Sequence, residues 1–296
     1  MVRKLTQVLH RAAVATFPFW ERVGLHVVPA RYFYPVPRSE DLPDALFDST
    51  SACLGVDWQR PTQLRHLHEV FPQYAREVDF EPNGGLSMVD AAVLHAMVRA
   101  YKPKKIVEIG SGHSTKITAR ACLMNARDGA PCEFVAIEPY PSTALRDGVP
   151  GLTRLRVDKV QRVEFAEFEN CDLLFVDSSH VVAIGGDVTF EQLEILPRLK
   201  PGCLIHFHDI LLPGHYWKDW VLRRRYYWTE QYLLQAFLAF NSEFRVLWAA
   251  RLMQLEAAAQ LADVFPYYRP NDTSQRVSSL WMQRAQAAQG TECRTL

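Results

Sequence analysis

Two stretches of this chain concentrate groups able to hold a cation or move a proton. One runs Asp172-Leu173-Leu174-Phe175-Val176-Asp177-Ser178-Ser179-His180, the other His206-Phe207-His208-Asp209. Each places its polar groups directly after an apolar run. If those runs are adjacent parallel strands, ~4.8 Å apart, Asp177 and Asp209 face one small volume. Oxygen ligands at that separation suit a hard divalent ion such as magnesium. His206 and His208 alternate onto one strand face and His215 follows soon after, and imidazoles invite a softer metal. A single strand-end aspartate is often structural, and His206 is expected to pack within the sheet.

A third stretch, Val107-Glu108-Ile109-Gly110-Ser111-Gly112-His113-Ser114-Thr115, has glycines that let the backbone turn and approach a ligand just before a helix N-terminus. A dinucleotide fingerprint wants Gly or Ala where this chain has Thr115. Glu108 adds negative charge that a pyrophosphate would avoid and a cationic ligand would favour. Glu138 lies 28 residues after Gly110, at the tip of the next apolar run. A carboxylate there can accept both hydrogen bonds of a ribose diol. Asp158, ending a third run, could reach an adenine amino group or simply be a turn aspartate.

These groups need a scaffold that brings strand ends together. The chain has 296 residues, 48% hydrophobic and 22% charged, enough to bury a substantial core. Its 33 basic and 33 acidic residues cancel, so charge does not suggest nucleic acid as a partner. The six cysteines form no CxxC pair, a pattern of buried thiols in a reducing compartment. No apolar run reaches the ~18 residues of a membrane span, and the first twenty residues lack a secretory pattern. A cytoplasmic protein is expected.

From Ser87 onward, strand and helix patterns alternate. Ser87 and Asp90 predict a capping box for a helix that ends before Pro103. Strands are predicted at 105–109, 134–137, 152–157, 173–176 and 203–207, with two more β-like pieces at 244–248 and 278–282. Helices are predicted at 114–124, 162–168, 187–199 and 232–240. Continuous apolar strands alternating with helices imply a doubly wound α/β fold, with a parallel sheet covered on both faces and ligands at the strands' carboxyl ends.

The combination of the ExGxG loop, Glu138, the Asp177 strand end and the Leu199-Lys200-Pro201-Gly202 turn resembles class I methyltransferases that use S-adenosylmethionine. That resemblance spans roughly 85–284 and implies a Rossmann-like seven-stranded sheet whose last two strands are the terminal β pieces, one antiparallel. It implies that Glu108, Gly110, Ser111, Gly112, Glu138, Asp158 and Asp177 bind the cofactor. The Asp177-to-His180 spacing and the His208-Asp209 pair look like the macrocin-type O-methyltransferases and their broader relatives, the Methyltransf_24-like group. Carried over, Asp177 and Asp209 would ligate magnesium or another divalent metal and His180 would be the general base on a hydroxyl. Those enzymes have an acidic pair where this chain has His208-Asp209, which makes His208 a further candidate ligand.

The expected organisation is an irregular helical N-terminal accessory segment at 1–84, a methyltransferase domain at 85–284 and a flexible tail at 285–296. A lid at about 210–228 and an insertion at about 251–276 are candidate walls of the acceptor site. Val2, Leu5, Val8, Leu9 and Ala12 fall at helical spacing, with Arg3, Lys4 and Arg11 on the other face. Packing of that apolar side on the body or on a second subunit is expected over a membrane surface, which allows a homo-oligomer. The expected activity is O-methylation of a small hydroxylated molecule, such as a sugar or glycosylated metabolite. The alternatives are a non-haem-metal hydroxylase, a non-catalytic cofactor-binding subunit and, disfavoured by Thr115 and Glu108, a nicotinamide dehydrogenase.

Overall fold

A computed structural model of the chain describes residues 2–30, 32–77 and 85–286. Most of the tail at 285–296 therefore lies outside the described residues. The chain divides into two compact units: Met1–Ser49 with Trp217–Tyr227, and Thr50–Tyr216 with Trp228–Leu296. In the first unit the longest element is helix α1, Val2–Arg22.

The second unit is built on a seven-stranded sheet in the order β3-β2-β1-β4-β5-β7-β6. Its strands are β1 Lys105–Ile109, β2 Glu133–Ile137, β3 Arg154–Arg156, β4 Leu173–Val176, β5 Leu204–Phe207, β6 Phe244–Ala249 and β7 Leu280–Arg284. β1 pairs parallel with β2 and β4, and β4 with β5, whereas β7 runs antiparallel to both β5 and β6. The alternating pattern predicts the doubly wound parallel part of this sheet, and the resemblance implies its seven strands with one antiparallel.

Side-chain alternation divides the core between the two faces. Ile106, Phe134, Leu173, Phe175 and Leu204 pack with helices α2, Met88–Tyr101, and α3, His113–Arg127, on one face. Val107, Ile109, Ile137, Leu174, Val176 and Ile205 pack on the other, with Leu234 and Leu238 of helix α4, Glu230–Leu238. Both sides of each central strand are dry, which is why those strands read as unbroken apolar runs.

Ser87 caps α2 by accepting the Asp90 N–H at 3.0 Å, as the capping box predicts. Asp90 also reaches beyond its helix: it accepts the Ser278 N–H at 3.0 Å and the Ser279 hydroxyl at 2.5 Å. It thus ties α2 to the start of β7. The helix predicted at 162–168 is instead two single 3-10 turns, Val160–Arg162 and Phe165–Glu167. Seven residues are too few to repay helix nucleation from backbone bonds alone, and Val163 and Phe168 reach the core without a continuous helix. The helical stretch from 187 changes to wider π turns at Glu191–Ile195 and tightens again at Leu196–Arg198.

Candidate active site

Both polar groupings sit at the carboxyl ends of the parallel strands. The turn after β1 needs Gly110: its φ is +78°, and a Cβ there would lie 1.9 Å from the Asp177 carbonyl oxygen. Only glycine permits both the left-handed backbone and the close approach of the β4 end. Gly112 differs, because a Cβ there would meet nothing within 4 Å. Open space stands over it beside the N-terminus of α3. Thr115, the residue that departs from the dinucleotide pattern, accepts the Gly112 N–H at 3.0 Å through its hydroxyl.

Glu138, just past β2, is held on both oxygens. Oε2 accepts the Ser111 N–H at 3.1 Å, and Oε1 accepts the Tyr140 N–H at 2.7 Å. Its carboxylate is fixed in place, with lone pairs left for a ligand. Gly110, Glu138, Tyr140, Lys159, Asp177 and Asp187 help to line a cleft of 460 Å³. Asp158 is not in that wall; its carboxylate accepts the Lys159 N–H at 2.8 Å. Glu108 is fully buried on the α3 side of β1, one oxygen accepting the Ser114 hydroxyl at 2.6 Å and the other without a partner. Burial pushes its carboxyl up to about 8, against the opposing pull of the Ser114 and Thr115 hydroxyls.

The second grouping centres on His180. Its Nδ1 lies 2.8 Å from Glu230 Oε2, and its Nε2 lies 3.3 Å from Asp177 Oδ1 and 3.7 Å from Asp209 Oδ2. His180 and Asp209 both adopt left-handed backbone, φ +60° and +54°, which is uncommon for residues with a Cβ. The His180 turn is held from behind: its carbonyl accepts the N–H groups of Thr229 and Glu230, at 2.8 and 3.1 Å. Its ring lies against Trp228 at 4.4 Å between centroids, and Trp228 meets the edge of Tyr216 at 5.8 Å.

The carboxylates and imidazoles set one another's charge. Burial would raise Asp177, but the rings of His208 and His180 beside it hold its carboxyl at about 2. His180 is buried, yet Asp177 and Glu230 lift it well above the ordinary imidazole value. His208 rises to about 9, the pull of Asp209 and Asp177 exceeding its burial. Burial raises Glu230 despite His180, and Glu191, whose Oε2 accepts the Ser178 hydroxyl at 2.9 Å, goes well up for the same reason. His206 takes the packing role anticipated for it: it stacks on Phe175 at 4.2 Å, meets Trp281 edge-on at 4.6 Å, and burial holds it well below the usual value.

Donor atoms of Asp177, His180 and Asp209 lie within 4.8 Å of one another, the span of ligands around one cation bound at ~2.0–2.6 Å. His208 stands beside this group, its Nδ1 3.2 Å from Asp209 and 3.7 Å from Asp177, with neither ring nitrogen hydrogen-bonded. His215 lies elsewhere, 3.3 Å from the Tyr232 hydroxyl. The chemistry of this donor set fits a divalent cation. Sequence reading offers Glu230 as a helix-start acid, a pocket wall or a dipole partner, but gives no sign that it stands behind His180, fifty residues away. Glu191 gave no signal, lying inside a predicted helix.

Residues 107–210 match the family model Methyltransf_24, described as a methyltransferase domain. The matched stretch runs from β1 through β5 of the sheet. An uncharacterized protein of Archaeoglobus fulgidus is 28% identical over 170 residues, covering 51% of this chain and 76% of that protein. Among solved structures, the O-methyltransferase TomG of Streptomyces achromogenes, in complex with SAM, is 15% identical, with a TM-score of 0.43 and coverage of 77% of this chain and 97% of that one. The SAH-bound methyltransferase PaMTH1 of Podospora anserina is 16% identical, with a TM-score of 0.46 and coverage of 73% and 86%. No helix among the described residues is long and apolar enough to cross a membrane.

Proposed function

We propose that this methyltransferase moves the methyl group of S-adenosylmethionine to a hydroxyl of a small molecule, a sugar or glycosylated metabolite being the best fit. The observation that carries the reading is the double position of Asp177. It lines the cleft beside Gly110 and Glu138, and it also belongs to the Asp177–His180–Asp209 cluster. A cofactor cleft and a proton-accepting group therefore share one wall.

The bound cofactor supplies an electrophilic sulfonium methyl, so the protein's task is alignment and removal of one proton. Glu138 offers its fixed carboxylate to the ribose diol, and Gly112 leaves room for close approach. As oxygen–methyl bonding replaces the sulfur–methyl bond, the hydroxyl proton passes to His180 Nε2, which must first give up the proton that Asp177 and Glu230 favour on the ring. Glu230 holds Nδ1 and leaves Nε2 facing the cluster. Asp177 and Asp209 would hold a divalent cation, magnesium by the hardness of their oxygens, and such an ion lowers the pKa of a bound hydroxyl. Trp228, backed by the buried Tyr216, supplies aromatic surface beside His180 for a ring-bearing acceptor. The neutral charge balance and scattered cysteines favour a cytoplasmic enzyme with no nucleic-acid partner.

Calorimetric titration with S-adenosylhomocysteine, after chelator treatment and with or without added magnesium, tests this reading. Micromolar binding, altered by magnesium, is expected. No binding in either condition overturns it, and stoichiometric iron in its place would favour a hydroxylase.

A further inference from the structure

The first 36 residues differ from the rest of the chain in what they expose. They hold 12 of the 25 large hydrophobic side chains exposed among the described residues. Leu5, Val8, Leu9 and Phe19 of α1 are each about 60% exposed, and they recur at the spacing that aligns side chains along one helical face. Leu25, Val27 and Val28 extend the same apolar character past the helix end, all exposed. Apolar surface gathered this densely marks a contact site.

Charge indicates what makes the contact. Residues 1–36 contain five of the 33 basic residues, Arg3, Lys4, Arg11, Arg22 and Arg31, but only one of the 33 acidic ones, Glu21. A chain with no net charge thus places a cationic excess on its most apolar exposed segment. A second copy would bring the same excess to the same place, whereas an anionic surface neutralises it. Aromatic residues gather toward the helix end: Trp20 donates its indole N–H to Thr16 at 3.1 Å, and Phe17 stacks on His26 at 5.2 Å. An amphipathic helix of low overall hydrophobicity, basic on its polar side and aliphatic and aromatic on the other, has the physical character of a helix that lies in a lipid interface.

We propose that α1 and the apolar stretch after it dock on an anionic lipid surface, lying in the interface without crossing it. The helix sets its aliphatic side among the acyl chains and its basic side among the headgroups. The proposal is independent of the methyltransferase reading and holds whatever the cleft binds.

Co-sedimentation of the full chain with lipid vesicles tests it, using neutral phosphatidylcholine and the same lipid with a quarter phosphatidylglycerol. Partitioning onto the anionic vesicles, weakened by salt, is expected, with little onto neutral ones. The double variant Leu5→Asp/Leu9→Asp and the triple variant Arg3→Glu/Lys4→Glu/Arg11→Glu should each bind at least roughly tenfold more weakly. The melting temperature of the body should be unchanged in both, which separates lost docking from lost folding. Three outcomes overturn the proposal: no partitioning onto anionic vesicles, equal partitioning onto both kinds, or binding that survives the charge reversal. A concentration-dependent dimer dissolved by Leu5→Asp/Leu9→Asp, with no vesicle binding, would give the surface to a second copy instead.

Discussion

At the scale of single residues, burial and neighbouring charge separate groups that look alike in sequence. His206 and His208 are two positions apart on one face, yet burial keeps the first low and Asp209 and Asp177 lift the second to about 9. His180 sits between Glu230 and Asp177, with one ring nitrogen committed to each side. His180→Ala should lower turnover by roughly 100-fold, as loss of a general base does. Its affinity for S-adenosylhomocysteine should change less than about twofold, because Glu138 and the glycine loop are untouched. Undiminished turnover would remove the base role. Glu138→Ala should weaken that affinity by about 1–3 kcal/mol, through a buried diol left unpaired, and calorimetry reads the loss directly. Glu108 makes a prediction for the ligand-free protein. Its folded value of about 8 exceeds the ordinary 4.5, so its protonated form favours folding below pH 4.5, and that advantage is lost as pH rises through 8. Glu108→Gln keeps the shape without the titration. Relative to the native chain its stability should be roughly 3–4 kcal/mol higher at pH 8 than at pH 5. Urea unfolding at the two pH values measures this, and a pH-independent difference would refute it.

At the scale of elements, two glycines in one loop have different jobs. Gly110→Ala must push a Cβ into the Asp177 carbonyl, so the ends of β1 and β4 cannot keep their spacing. A loss of roughly 3 kcal/mol or more is expected, visible as a lowered urea midpoint. Gly112→Ala meets nothing within 4 Å, and its φ of −179° is backbone any residue adopts. Stability should stay within about 1 kcal/mol, while the methyl group occupies the space a ligand would use and S-adenosylhomocysteine binding falls by about tenfold or more. Intact binding in a stable Gly112→Ala protein would take the ligand away from that turn. The sequence discloses such turns because glycine, strand end and helix start are local signals. β1 and β4 are legible to the residue for the same reason, being short apolar runs between turns. The 162–168 segment misleads because Val163 and Phe168 are buried as a helical stripe would be, but they reach the core from two separate 3-10 turns. Asp90 shows the other limit. Its capping role is readable three residues away, but its bonds to Ser278 and Ser279, and through Ser278 to Asp209 at 2.9 Å, depend on the fold.

At the scale of the molecule, the cleft is assembled from parts that no stretch of sequence contains together. Gly110, Glu138, Lys159 and Asp177 come from the turns after four different strands, and the sheet order alone makes them neighbours. Strand-end positions could be foreseen, since parallel strands with covered faces must present their carboxyl ends on one side. Long-range pairings such as Glu230 with His180 could not, because they are fixed by how α4 packs after the chain has left and returned to the sheet. A ligand bridging four strand ends should therefore stabilise the whole second unit rather than one loop. At a hundred times its dissociation constant, S-adenosylhomocysteine should add about 2.7 kcal/mol to the folded state. For a unit of this size that corresponds to a rise of roughly 5–10 °C in Tm. Scanning calorimetry should show this shift in the transition carrying most of the unfolding enthalpy, with Glu138→Ala reducing it at the same ligand concentration. A ligand that left that transition unmoved would not be binding across the strand ends.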